Sequence, residues 1–300
     1  MHGPRISFGS WAFAFGPFES DPWDFARVCR YVADAGYQGI EINGFRPHPH
    51  DEEYDSDAAC APLRGLLDDL GLGVSAYAPD FRSTPPAEVP LPVYLRRVTS
   101  TLAFCRRLGI ETLRTDTVSP PGPVESERLD RLGTAWRAAA DLAAKEGVRL
   151  VWEFEPGFWL ARPSDVVGLV EAVDHPNFSV LFDSSHAYTT AVAGARQGAE
   201  PELLAGGVAE YAKLLGDRIG HVHLIDSDGS LHDQETSAHL PFGAGVIDFD
   251  DLVDALPDQA WQLPWWTVDF CFCPTTETDG RLAVPFVQRL LARRGPGVVR

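Results

Sequence analysis

The feature that most constrains this chain is an alternation repeated eight times. Short apolar runs of strand type occupy Arg5–Trp11, Gln38–Asn43, Gly73–Tyr77, Thr112–Asp116, Arg149–Glu155, Ser179–Asp183, Gly220–Ile225 and Trp265–Cys271. Between them lie longer segments of helical period, such as Trp23–Ala35, Ala58–Leu70, Val93–Leu108 and Glu127–Glu146. Several of these close on a glycine (Gly36, Gly71, Gly109, Gly147), the residue that best tolerates the left-handed conformation ending a helix. Pro163–Asp165 suits a helix start, with Ser164 as its cap. Strand–helix alternation implies parallel strands joined by right-handed crossovers, and eight of them close a barrel. The expected fold is therefore α/β, a (β/α)8 TIM barrel of eight parallel strands within outer helices. An open doubly wound sheet is the rival, but the first strand-to-helix connection carries neither a G-x-G-x-x-G nor a P-loop cradle. No linker or low-complexity tract divides the chain, so residues 1–300 are expected to form one domain, a normal size for such a barrel.

Charge narrows the partners. The formal net charge is −18, and the pairs Arg96-Arg97 and Arg106-Arg107 fall at helical spacing among apolar residues, as on a solvated helix face. Nucleic-acid binding needs a basic footprint, so nucleic acid is not expected as a partner. No apolar run approaches the roughly 18 residues that span a bilayer, and residues 1–16 lack the pattern of a secretory signal, which predicts a cytoplasmic protein without a membrane partner. The five cysteines form no CxxC pair and are read as reduced, buried thiols. Cys271 and Cys273, two apart on a predicted strand, are expected to face the same way.

In barrels of this kind, chemistry gathers at the C-terminal ends of strands. Strand five reads Arg149-Leu-Val-Trp-Glu-Phe-Glu-Pro, and period two puts Glu153 and Glu155 on one face. Strand six ends an apolar run with Asp183 and, three residues later, His186. Strand seven, Ile219-Gly-His-Val-His-Leu-Ile-Asp, places His221 and His223 on a common face and Asp226 at its exit. Strand eight carries Asp269 in an otherwise apolar run. One carboxylate on an apolar strand costs several kcal/mol unless it is paired or metal-bound, and a single one is usually structural. Four charged or ligating positions in series form a mixed oxygen and nitrogen set suited to Mn²⁺, Mg²⁺, Co²⁺ or Zn²⁺, with an Arg-paired buried network as the alternative.

These pieces resemble the xylose-isomerase-like barrels of the sugar isomerase/epimerase superfamily, which includes ketose 3-epimerases and inosose isomerases and dehydratases. The matching motifs are Trp152-Glu-Phe-Glu-Pro, Leu181-Phe-Asp-Ser-Ser-His, His221-Val-His-Leu-Ile-Asp and Pro241-Phe-Gly-Ala-Gly-Val-Ile-Asp. The resemblance implies one divalent metal ion, Mn²⁺ foremost with Mg²⁺, Co²⁺, Zn²⁺ or Fe²⁺ as alternatives, held by Glu153, Asp183, His223 and Asp269. Glu155 is the alternative strand-five ligand, because other members follow their ligand directly with proline. The resemblance makes Glu153 and Asp269 the acid/base pair as well, and brings His186 to the substrate. Substrate contacts are also expected of Glu155, His221, Asp226 and His239, with Trp11 as a ring against which a sugar stacks. The family's strand-eight ligand is usually glutamate, whereas this chain has the shorter Asp269.

The implied activity is isomerisation or epimerisation of a keto-sugar or inositol-derived ketone. A metal chelating the carbonyl stabilises an enediolate, while carboxylates move the proton. Elimination from the same intermediate, by a lyase or dehydratase acting on a keto-glycoside or inosose, is the alternative. An endonuclease-like phosphodiesterase and a non-catalytic sugar binder are more distant ones. The partner implied is a small carbohydrate or polyol, and the resemblance suggests a homodimer or homotetramer.

Overall fold

The computed structural model describes residues 3–198, 200–233 and 235–294. Eight strands close a barrel: β1 (Arg5–Gly9), β2 (Gly39–Gly44), β3 (Gly73–Pro79), β4 (Thr112–Thr115), β5 (Arg149–Glu153), β6 (Phe178–Asp183), β7 (Ile219–Leu224) and β8 (Trp265–Val268). Neighbours pair in parallel, and β1 meets both β2 and β8 to complete the ring. The intervening chain carries α1 (Phe25–Asp34), α2 (Asp57–Leu70), α3 (Leu91–Leu108), α4 (Ser126–Lys145) and α5 (Pro163–Val173). It continues with α6 (Ser184–Ala191), α7 (Gly207–Leu215), α8 (Phe249–Ala255) and α9 (Thr276–Ala292). A short hairpin, Leu231–His232 with Thr236–Ser237, stands in the connection after β7. Among the described residues, no helix is long and apolar enough to cross a membrane.

The helices form where an apolar stripe coincides with a cap. In α1, Phe25, Val28, Cys29 and Val32 bury one face, and the Asp24 carboxylate accepts the Arg27 N–H at its start. Gly71 and Gly109 end α2 and α3 in the left-handed conformation, at φ 66° and 67°. Ser164 does not cap α5. Arg162 holds the N-cap position, and Ser164 Oγ instead meets Glu202 Oε2 at 2.5 Å.

Three strands end two or more residues earlier than their sequence pattern suggests. β1 stops at Gly9, and Trp11 lies in a 3-10 turn (Ser10–Phe13) that folds across the barrel mouth. β5 stops at Glu153, so Glu155 owes its direction to a turn rather than to the pleat. β8 stops at Val268, placing Asp269 just past the strand and Cys271 and Cys273 in a turn, with Cys271 at the cavity and Cys273 in the core. The period-two expectation for these cysteines is corrected accordingly.

The inside of the barrel is layered. At its N-terminal end the Trp265 indole lies over Gly39 and Gly73, where a Cβ would sit 2.5 Å and 2.7 Å from the ring, and the Arg5 guanidinium stacks 3.7 Å from its centroid. Above it lies a buried polar layer of Ser7, Glu41, His221 and Thr267. The top layer faces the mouth.

Because only glycine leaves room for the Trp265 plug, Gly39→Ala is expected to cost about 1–3 kcal/mol of stability through overpacking. Trp265→Leu in the same chain should restore part of that loss. Urea unfolding measures both, and an unshifted midpoint in Gly39→Ala would refute the tight floor.

Candidate metal centre at the barrel mouth

Strand register brings the chemistry together. Asp183 pairs with His223 across β6 and β7, His223 pairs with Thr267 on β8, and the Asp269 N–H donates to the Leu224 carbonyl. One ligand atom from each of Glu153, Asp183, His223 and Asp269 lies within 4.8 Å of all the others, and all four residues are buried. The expected ligand set thus converges at one place.

Each carboxylate there has one oxygen fixed by the scaffold and another aimed at the centre. Asp183 is the N-cap of α6: its Oδ1 accepts the His186 N–H at 2.8 Å, while Oδ2 is buried without a hydrogen-bond partner. Asp269 Oδ1 takes the Trp11 indole N–H (2.6 Å), the Cys271 N–H (2.8 Å) and His239 Nδ1 (3.2 Å), leaving Oδ2 3.5 Å from His223 Nδ1. Glu153 Oε2 lies 2.5 Å from Arg114 Nη1, outside hydrogen-bond alignment, and Oε1 lies 3.1 Å from His223 Nδ1. His223 donates from Nε2 to Glu41 Oε2 at 3.0 Å, so its Nδ1 faces the carboxylates. Orphaned oxygens and an imidazole nitrogen converging in a buried space suit a divalent cation of the kind that accepts mixed O/N ligands.

The electrostatics are those of crowded, desolvated acids. Burial raises the Asp183 carboxyl to about 7, with Asp269 and Glu153 adding to the rise against His239. Burial and Glu153 lift Glu155 to about 8, despite its ion pair with Arg114 at 2.7 Å. Burial pushes Glu153 and Asp269 up as well, but Arg114 and His223 hold Glu153 below its ordinary value, and His239 and His223 hold Asp269 well below. Burial lowers His186 to about 3, whereas Asp269 outweighs burial at His239 and raises it to about 9.

Above the centre opens a cavity of about 500 Å³, lined by Trp11, Arg114, Glu155, His186, His239 and Asp269 among others. Phe15, Phe45, Phe158 and Phe272 stand around it. His186 Nδ1 meets Ser237 Oγ at 2.6 Å, and its Nε2 is 3.9 Å from Glu155 Oε2. Asp183, His186 and His239 form a second group of ligand-capable atoms sharing Asp183 with the first, so the ligating residues are not confined to one set of four. Trp11 and Phe158 line the cavity, while Phe13, Trp152, Trp159, Trp266 and Phe270 belong to the core.

Two expected substrate contacts lie elsewhere. Asp226 is spent on its own loop: its carboxylate accepts the backbone N–H of Ser227, Gly243, Gly245 and Ile247 at 2.8–3.1 Å. This explains the Gly-Ala-Gly-Val-Ile-Asp motif, since a Cβ on Gly245 would sit 2.3 Å from Asp226 Oδ1. His221 lies deeper in the barrel, with Nε2 3.0 Å from Glu41 Oε2 and 3.1 Å from Thr267 Oγ1. It points inward because it shares the face of His223 two residues below the mouth.

Two site residues escaped the sequence reading. Glu41 on β2 touches both imidazoles, and Arg114 on β4 binds Glu153, Glu155 and Asp116. Each is a charge inside an apolar strand, the signal that marked strands five to eight.

A model of the xylose isomerase-like TIM barrel family matches residues 29–271. Inosose dehydratase of Geobacillus thermodenitrificans is 27% identical over 181 residues, 55% of this chain and 50% of its own length, so the chain spans about half of that relative. Fructoselysine 3-epimerase of Escherichia coli O157:H7 is 20% identical over 243 residues, 78% of this chain and 81% of that one. Among solved structures, an L-ribulose 3-epimerase superposes with a TM-score of 0.70 at 20% identity over 99% of each chain. A probable 3-DHS dehydratase from Bacillus anthracis gives 0.71 at 15% identity, over 95% of this chain and 98% of that one. At such identities the structural likeness speaks to the fold. The family match covers most of the chain, and the protein belongs to the xylose isomerase-like TIM barrel family.

Proposed function

We propose that this protein is a divalent-metal-dependent isomerase or epimerase of an uncharged keto-sugar or inositol-derived ketone. The observation carrying the reading is the convergence of Glu153, Asp183, His223 and Asp269 on one buried point beneath an open cavity. These four residues would hold the ion, which when bound would supply the Lewis acidity to polarise a substrate carbonyl and acidify the neighbouring C–H. Glu153 and Asp269, both kept ionised by their cationic neighbours, are the bases placed to take and return that proton. Neutral His186, with Nδ1 on Ser237, turns Nε2 toward a substrate hydroxyl, and Trp11 forms a wall fixed by its bond to Asp269.

The charge around the cavity selects against anions. Arg114 directs its nitrogens at Asp116, Glu153 and Glu155, and Arg82 at the rim is paired with Asp80 at 2.8 Å. Neither guanidinium is free for a phosphate, which favours a free sugar. One observation supports elimination as a second reading: Glu155, raised to about 8, carries a proton at neutral pH and stands beside His186, suited to protonating a departing hydroxyl. The inosose dehydratase relative is consistent with it.

Solvent deuterium exchange tests the step common to both readings. With Mn²⁺ in D₂O, the protein is expected to exchange a carbon-bound proton of a free ketose or inosose and not of the corresponding sugar phosphate. Glu153→Gln should slow exchange by roughly 10²–10⁴-fold, the usual contribution of a general base. Retained product mass, after correction for deuterium, indicates isomerisation, and loss of water indicates elimination. No exchange on any ketose would refute the proposal.

Metal removal carries a pH signature. In the metal-free fold Asp183, Glu155 and His239 are raised to about 7, 8 and 9 from their ordinary values of 3.8, 4.5 and 6.5. A raised group contributes stability that is complete below its unfolded value and lost as pH rises through its folded value. The lowered His186 acts in the opposite sense, but only below about 6.5. The melting temperature of the stripped protein should therefore fall between pH 6 and 9, and added Mn²⁺ should flatten that fall. Calorimetry across that range checks it, and a flat or rising profile without metal would count against the electrostatic account.

A further inference from the structure

We infer that Glu41 is the positioning residue that orients His223 and keeps its proton on Nε2, so that Nδ1 is the nitrogen offered to the metal centre. The inference rests on the metal reading above and assigns a role to a residue outside the four-ligand set. His223 is fully buried between two acidic groups of different kinds. On one side Nδ1 lies 3.1 Å from Glu153 Oε1, 3.5 Å from Asp269 Oδ2 and 4.0 Å from Asp183 Oδ2. On the other, Nε2 lies 3.0 Å from Glu41 Oε2. An imidazole that ligates through one nitrogen must keep its proton on the other, and a carboxylate acceptor there fixes the ring and makes the ligating nitrogen more basic.

Glu41 is built to do this and little else. It is entirely buried, and it does not line the cavity. Its Oε2 also receives the Thr267 hydroxyl at 2.8 Å and His221 Nε2 at 3.0 Å, and Thr267 is itself bonded to Ser7 Oγ at 2.8 Å. Side chains from β1, β7 and β8 thus fasten one carboxylate of β2. The bulge in pairing of β2 with β3, between Ile40 and Ile42, falls at this residue. A carboxylate that served packing alone would not need two imidazole N–H groups on one oxygen while its other oxygen, Oε1, is buried without a partner.

The test compares metal-stripped parent, Glu41→Gln and Thr267→Val by titration calorimetry with Mn²⁺, alongside imidazole ¹⁵N spectra of the Zn²⁺-loaded parent. Thr267→Val removes the hydroxyl bond to the same Glu41 oxygen while leaving the Glu41–His223 bond and the β7–β8 backbone pairing in place. The inference predicts a 10–100-fold weaker Mn²⁺ dissociation constant in Glu41→Gln. It predicts at most a few-fold change in Thr267→Val, and a His223 proton on Nε2 in the loaded parent. Equal affinity of Glu41→Gln and parent, an equally weakened Thr267→Val, or a His223 proton on Nδ1 would each overturn it. If Glu41→Gln does not fold, the parent spectrum alone decides. A parent that binds neither ion overturns the proposed function, and the role of Glu41 with it, which is a distinct result.

Discussion

Mutual repulsion among buried carboxylates is the constraint on which the rest of this structure turns. Three carboxylate oxygens and an imidazole nitrogen meet within 4.8 Å at the buried floor of the cavity. At that separation, with an effective dielectric constant near 20, each pair of full charges costs about 3–4 kcal/mol. Three such pairs reach roughly 10 kcal/mol, comparable to the whole stability of a typical domain. The fold can keep such a cluster only by supplying positive charge. Arg114, His223 and His239 supply part of it, and protons held on Asp183 and Glu155 relieve more. A divalent ion at the centre would relieve the remainder, which ties the stability of the site to its chemistry.

The barrel meets this constraint by dividing labour within each side chain. Asp183 gives one oxygen to the start of α6, Asp269 gives one to Trp11, Cys271 and His239, and His223 gives Nε2 to Glu41. The atoms left over all point the same way. Because the fixing partners are backbone N–H groups and buried side chains, the centre is organised before any ligand arrives. That preorganisation also explains the shorter Asp269: it sits just past β8, where the turn, held through the Cys271 N–H, carries its carboxylate to the centre.

The fold was legible because eight alternations leave few topologies, and strand periodicity and helix-ending glycines are local signals. Strand ends were less legible, since the turns that stop β1, β5 and β8 depend on what the mouth must hold. The four residues that converge at the mouth were readable as carboxylates and an imidazole at corresponding places on apolar strands. Asp226 was misread for a physical reason: three of its four N–H partners lie 17 to 21 residues onward, and no local pattern says whether a carboxylate faces a cavity or its own loop. Glu41 and Arg114 carry the same buried-charge signal, but what they do depends on partners up to 226 and 41 positions away. Their roles required the closed barrel.

Metal content tests the central claim most directly. The purified protein and Asp183→Ala, each shown by circular dichroism to be folded, would be analysed for metal and titrated with Mn²⁺. The account predicts a parent carrying or binding about one equivalent of Mn, Co, Zn or Fe at the four-ligand centre, and a variant that has lost it. A parent that is metal-free and binds neither Mn²⁺ nor Mg²⁺ would contradict it, leaving protons and Arg114 to hold the acidic mouth together.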